Sequence, residues 1–154
     1  MLHDYIECVF AELSYMGHTF IVGVVYRPPN SNTLDFNDSI HYVLEKIAHR
    51  PCYIMGDFNL DLLKHELHHP TEKFLDTMYA NSYIPMINRP TRVTSTTCTL
   101  IDNIFTNNYS IDSDNFNGIL KADITDHYPI FLIIKAKDNE DVECYFLMQF
   151  VYVS

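Results

Sequence analysis

No Cys-x-x-Cys pair occurs in this chain; its four cysteines stand singly at 8, 52, 98 and 144. That excludes a zinc knuckle and a dense disulfide scaffold, and it predicts reduced thiols in an intracellular compartment. Positive charge is scarce as well. Ten Lys and Arg stand against twenty Asp and Glu, a formal net charge of −10, so nucleic acid is not held by charge alone and requires metal ions or a local basic patch. The first residues, Met1 to Glu7, lack a basic start and an apolar h-region, and no apolar run approaches membrane-spanning length. These absences predict a soluble, unsecreted protein of the nucleus or cytoplasm with no membrane partner. The glycosylation sequons at Asn37 and Asn108 then read as chance matches. Internal repeats and low-complexity segments are also missing.

What is present is enough apolar material, 47% of 154 residues with 14% aromatic, to bury one sizeable core in one domain. The chain is organised around Tyr53-Ile54-Met55-Gly56-Asp57-Phe58-Asn59. Tyr53 to Met55 read as a buried strand that stops at the permissive Gly56. In an extended segment Asp57 and Asn59 face the same way while Phe58 anchors in the core, which suits an acceptor and a donor beside a phosphate. A simple turn is the alternative, since Gly, Asp and Asn all favour turns.

Elsewhere, Tyr5 to Ser14 and His18 to Tyr26 read as a hairpin, stopped by Arg27-Pro28-Pro29-Asn30. From Thr33 a helical stripe of Phe36, Ile40, Val43, Leu44 and Ile47 follows, with Ser31, Asn32 or Thr33 available as its cap. Thr71 is the expected cap of a second helix with Phe74, Leu75, Met78 and Tyr79 on its apolar face. Strands are expected at Tyr83 to Ile87, Thr99 to Thr106, Phe116 to Leu120 and Tyr128 to Ile134. Lys137 to Glu143 reads as a solvated acidic linker, and Cys144 to Val153 as an edge strand or a tail.

Tyr26-Arg27, Asp57-Asn59, Asp102 and Asp126-His127 each fall at or near a strand end, and such positions gather at one rim of a sheet sandwich. Asp102 interrupts Leu100-Ile101 and Ile104-Phe105, where a carboxylate is costly to bury unless paired. Histidine is the economical partner, because a carboxylate behind an imidazole fixes its tautomer and raises its basicity. Asp126 and His127 are neighbours on an extended segment and so face opposite sides; a solvated loop is their bland alternative. His65-Glu66-Leu67-His68-His69 formally satisfies His-Glu-x-x-His. That zinc motif needs one helix, yet Pro70 follows at once, so a histidine-rich surface loop is the better account.

Five ordered motifs carry a resemblance: Tyr26-Arg27-Pro28-Pro29-Asn30, Gly56-Asp57-Phe58-Asn59, Pro90-Thr91-Arg92, Thr99 to Asn107, and Thr125-Asp126-His127-Tyr128-Pro129-Ile130. In order and spacing they resemble the endonuclease/exonuclease/phosphatase superfamily. The nearest likeness is to the apurinic-type endonuclease domain of non-LTR (LINE-type, jockey-like) retrotransposon polyproteins, over roughly residues 5 to 135. The resemblance implies an α/β fold, a DNase I-like layered β-sandwich flanked by helices, and metal-dependent hydrolysis of a DNA phosphodiester, with a reverse transcriptase in the parent polyprotein. It implies that Asp57 orients or deprotonates water, that Asn59 and Tyr26 contact the phosphate, and that His127 acts with Asp102. Asp126 matches the metal-site aspartate, for Mg2+ or Mn2+. Arg27, Arg89 and Arg92 are candidates for flanking phosphates.

The family's early asparagine and principal metal-binding glutamate find no counterpart here. Glu7 and Glu12, the only glutamates ahead of the Tyr-Arg-Pro-Pro motif, fall where alternation predicts solvent-facing positions. The expectation is thus a partial domain over 1–135, truncated on its N-terminal side with an incomplete metal site, followed by linker and apolar tail over 136–154. Missing strands would leave open sheet edges. The competing functional reading is a catalytically inactive remnant that serves as a binding or interaction module.

Overall fold

Two antiparallel strands open the described chain. β1 (Glu7–Tyr15) and β2 (His18–Tyr26) pair from Glu7↔Tyr26 to Tyr15↔His18. Between them Gly17 has a φ of 77°, a left-handed value that glycine adopts without steric cost. The computed structural model describes residues 6–15, 17–109, 115–122, 125–137 and 143–150.

After β2 the chain crosses over through α1 (Thr33–Lys46) and returns as β3 (Cys52–Asp57), parallel to β2. Asn32 caps α1, its side chain accepting from the Leu34 N–H at 2.9 Å. Every residue of β3 is buried. α2 (His69–Ala80), β4 (Ile84–Pro85), the short pair β5 (Arg92–Val93) and β6 (Cys98–Thr99), and β7 (Asp102–Thr106) follow. The large sheet runs β1-β2-β3-β7-β4. A second sheet, ordered β10-β9-β8, comprises β8 (Phe116–Ile119), β9 (Ile130–Lys137) and β10 (Glu143–Phe150).

Alternation on β3 and β7 divides the core. Ile54 and Phe105 are register partners on the helix side, where Phe105 meets Phe58 and Phe74 edge-on and Phe36 stacks against Phe74. Tyr53 belongs to the other face with Phe20, which also meets Phe146 of β10. The second sheet closes over this face with Ile130, Leu132, Ile134 and Met148, all buried. Two sheets packed together with helices outside the first are the expected α/β sandwich.

Several boundaries differ from the sequence reading. α2 starts ahead of Thr71, because Pro70 occupies its first turn, where a missing N–H is harmless. Thr71 is instead buried, its hydroxyl 2.8 Å from the His68 imidazole, and Tyr79 is exposed. Tyr83 to Ile87 forms a ladder only at Ile84–Pro85, and Thr99 to Thr106 is broken at Leu100 and Ile101. Their backbones turn to the segment after β3: Phe58 N–H donates to Ile101 O, Leu62 N–H to Leu100 O, and Leu100 N–H to the Asp61 carboxylate. β9 starts after Pro129 and runs to Lys137, and β10 is an edge strand paired with it throughout, so the sandwich extends beyond residue 135. The linker core 138–142 and residues 151–154 lie outside the described residues. No helix among the described residues is long and apolar enough to cross a membrane.

Candidate active site

Strand register alone brings the first site residues together. Tyr26 on β2 is level with Asp57 on β3, and Asp57 lies opposite Asp102 on β7. Register partners share a face, so the three side chains form a row along one rim. Asp57 and Asp102 are almost wholly buried, at 2% and 1% exposure, whereas Tyr26 is half-buried. Glu7 continues the row onto β1, but it is exposed, as is Glu12, which is ion-paired with Arg50.

Asp102 is held by more than its ladder. The hydroxyl of buried Thr91 accepts from the Asp102 N–H at 3.0 Å and from the Ile101 N–H at 3.3 Å, at the point where β7 begins. His127 closes the cluster from the segment before β9: its Nδ1 lies 3.2 and 3.1 Å from the two Asp102 oxygens. Thr125 steadies that segment, its hydroxyl accepting from His127 N–H and donating to His127 O. An isolated bridge pairs His127 with Arg92. Thr91 had no assigned role in the sequence reading, although it lies inside the Pro-Thr-Arg motif; a threonine just before an arginine carries no signal that its hydroxyl caps a distant strand.

Burial and the Asp102 charge push the Asp57 carboxyl up to about 6, against the pull of the Asn59 N–H and the His127 and Arg92 charges. For His127, burial lowers the pKa, but the Asp102 hydrogen bond and charge, with Asp57 and Asp126, leave it raised overall. One ligand atom each from Asp57, Asp102 and His127 lies within 4.8 Å of the others. Two oxygens and one nitrogen so arranged form a donor set that a hard or borderline divalent cation accepts.

The remaining candidates are placed differently. Asn59 has a left-handed φ of 48°, its N–H donating to Asp57 Oδ1 and its amide to the Arg27 carbonyl. Arg27 is 4% exposed. Its Nε donates to Phe58 O at 2.7 Å, one terminal nitrogen to Asn59 O at 2.7 Å, and the other to the Ser31 carbonyl and hydroxyl. Those bonds lock the loop after β3 to the loop after β2. Asp126 stands outside the cluster, its Oδ2 accepting from Arg92 Nε at 2.7 Å with both side chains partly exposed. That bond, with the Arg92 charge, holds its carboxyl below the usual range. Arg89 is exposed. His65 follows a short 3-10 turn and His69 begins α2, so His-Glu-x-x-His spans two elements, as its Pro70 implied.

Two packed β-sheets with helices outside the first are the architecture of the DNase I-like endonuclease folds. The endonuclease domain of TRAS1, a telomere-specific non-LTR retrotransposon, superposes with a TM-score of 0.67 at 16% identity, over 82% of this chain and 67% of that one. Endonuclease/exonuclease/phosphatase family proteins from Leptotrichia buccalis (TM-score 0.62, 16% identity, 82% of this chain and 53% of that one) and Bacteroides thetaiotaomicron (0.55, 18%, 80% and 53%) share the fold. The chain thus spans about two thirds of the first relative and about half of the other two. No curated protein matches it. The endonuclease-reverse transcriptase family model matches residues 20–131, and the chain belongs to that family.

Proposed function

We propose that this chain hydrolyses a DNA phosphodiester with a divalent metal ion, as the nicking domain of a non-LTR retrotransposon polyprotein in which a reverse transcriptase is its partner. The observation that carries this reading is the buried Asp57–Asp102–His127 cluster at the sheet rim. Asp57, with a carboxyl near 6, is ionised at neutral pH and still basic enough to orient or deprotonate water. Asp102 holds His127 with Nδ1–H toward it, fixing the imidazole that faces the phosphate. Tyr26 contacts that phosphate, and Asn59 donates to it as charge builds, exchanging the Arg27 carbonyl for it. Magnesium or manganese held by these carboxylates would supply charge stabilisation for the departing oxygen, and Asp126 would join it as a ligand on leaving Arg92. Arg92 and Arg89 take flanking phosphates, whereas Arg27 supports the site from below.

A second reading, a binding module without turnover, draws on the exposure of Glu7 and Glu12: no glutamate joins the cluster among the described residues. Nicking of supercoiled plasmid separates the two. Cooperatively unfolding protein is assayed with magnesium, with chelator, and as Asp57→Ala. Chelator-sensitive nicking lost in the variant establishes the enzyme; folded protein that leaves the plasmid intact removes catalysis and leaves the module.

A further inference from the structure

A groove of about 520 Å³ opens between the segment after β4 and the edge of the second sheet. Arg89 and Lys121 stand on its walls, Asn88 and Asn117 offer amides, and Ile119 and Tyr128 supply apolar and aromatic surface. Its lining is unusual for this molecule. Acidic residues outnumber basic ones twenty to ten over the chain, yet no carboxylate occurs among the groove's described lining residues, which include two exposed cations. Two exposed cations with no carboxylate among the described lining residues favour an anionic ligand there.

The groove also adjoins the candidate active site along the chain. Tyr128 follows His127, and its N–H donates to Thr91 O at 2.7 Å; Val93, another lining residue, follows Arg92 and donates to Asp126 O at 2.9 Å. A single bridged pair, Arg92↔His127, therefore separates the groove from the cluster. We propose that the groove receives a nucleotide of the DNA strand that flanks the scissile phosphate. Arg89 and Lys121 contact its phosphates, the Tyr128 ring stacks on its base, and Asn88 and Asn117 reach the base edge. Its volume falls in the range of small-ligand sites, enough for an unstacked base. This inference rests on the nuclease reading for its substrate, but not for its test.

The test measures binding of a fluorescent ten-nucleotide single strand in chelator across a salt series, beside the plasmid-nicking assay. Wild type is expected to bind. The double variant Arg89→Gln/Lys121→Gln is expected to bind at least tenfold more weakly, with a salt slope shallower by about 1.4, since each phosphate contact on a single strand contributes about 0.7. Tyr128→Leu is expected to weaken binding by roughly fivefold or more, and Tyr128→Phe to restore it, because stacking needs the ring and not the hydroxyl. These results uphold the groove whether or not plasmid is nicked. A wild-type protein that ignores the oligonucleotide, or variants with its affinity and salt slope, overturn the groove, even where nicking succeeds.

Discussion

Asp57 and Asp102 lie directly opposite one another across the β3–β7 ladder, both buried and on the same face. Like charges in that relation repel, and His127 hydrogen-bonds to Asp102. That repulsion sets the sign of two predictions.

Asp57→Asn is expected to stabilise the metal-free protein. The amide oxygen still accepts from the Asn59 N–H, as Asp57 Oδ1 does now, while the buried charge disappears. The gain at pH 7 in chelator is on the order of 3 kcal/mol, because the folded carboxyl titrates near 6 and the unfolded one near 3.8. Denaturant unfolding measures it, and an unchanged or lower midpoint contradicts the account. The same variant should lose plasmid nicking.

The stability of the wild-type protein in chelator is expected to fall as pH rises from about 4 to above 7. Asp57 ionises in the unfolded chain near 3.8 but in the folded one near 6, so over that interval the folded state binds more protons and unfolding becomes easier with rising pH. His127 acts in the same direction: its raised pKa stabilises the fold below 6.5, and that contribution is lost as pH climbs through the folded value. Thermal midpoints at half-unit pH steps would show the decline, and Asp57→Asn should flatten its acid half.

Arg27→Met is expected to lower the thermal midpoint by roughly 5–15 °C, corresponding to about 2–4 kcal/mol for carbonyls left without their donor. Arg27→Lys should recover little, because three separated acceptors, Phe58 O, Asn59 O and Ser31 O, need a planar fork. Differential scanning calorimetry reads both; full recovery by lysine argues against the fork.

Gly56→Ala should prevent folding. A Cβ at Gly56 would collide with the backbone carbonyl of Val25 on the neighbouring strand, and a backbone obstacle does not swing aside. Expression followed by circular dichroism tests this; a native spectrum means that β2 and β3 can part without loss.

The elements whose physics is local were legible in the sequence. The Phe36–Ile40–Leu44 stripe marks α1, with Asn32 one of three candidate caps, and the apolar run of Tyr53 to Met55 marks β3, which continues through Gly56 to Asp57. That Asp102 needs a partner was legible too, because a carboxylate in so apolar a strand is costly alone; that the partner is His127 followed from the resemblance. Contacts set by distant segments were not. Nothing near Arg27 tells that its guanidinium is buried under the carbonyls of residues 58 and 59, and nothing near Leu100 tells that its N–H serves Asp61 instead of a ladder. Register across strands is likewise a property of pairs, so the row Tyr26–Asp57–Asp102 had to be seen.

That row has a consequence for the order in which the molecule assembles. Its members belong to β2, β3 and β7, strands joined only across intervening helices and loops. The β1–β2 hairpin and α1 can form from near neighbours, but closing β2 on β3 and then β3 on β7 requires long loops to be immobilised first, which is slow. The cluster therefore comes into being late. A chain that has formed only the hairpin and both helices holds about half of its described helix and strand residues and has not yet brought Asp57 and Asp102 together.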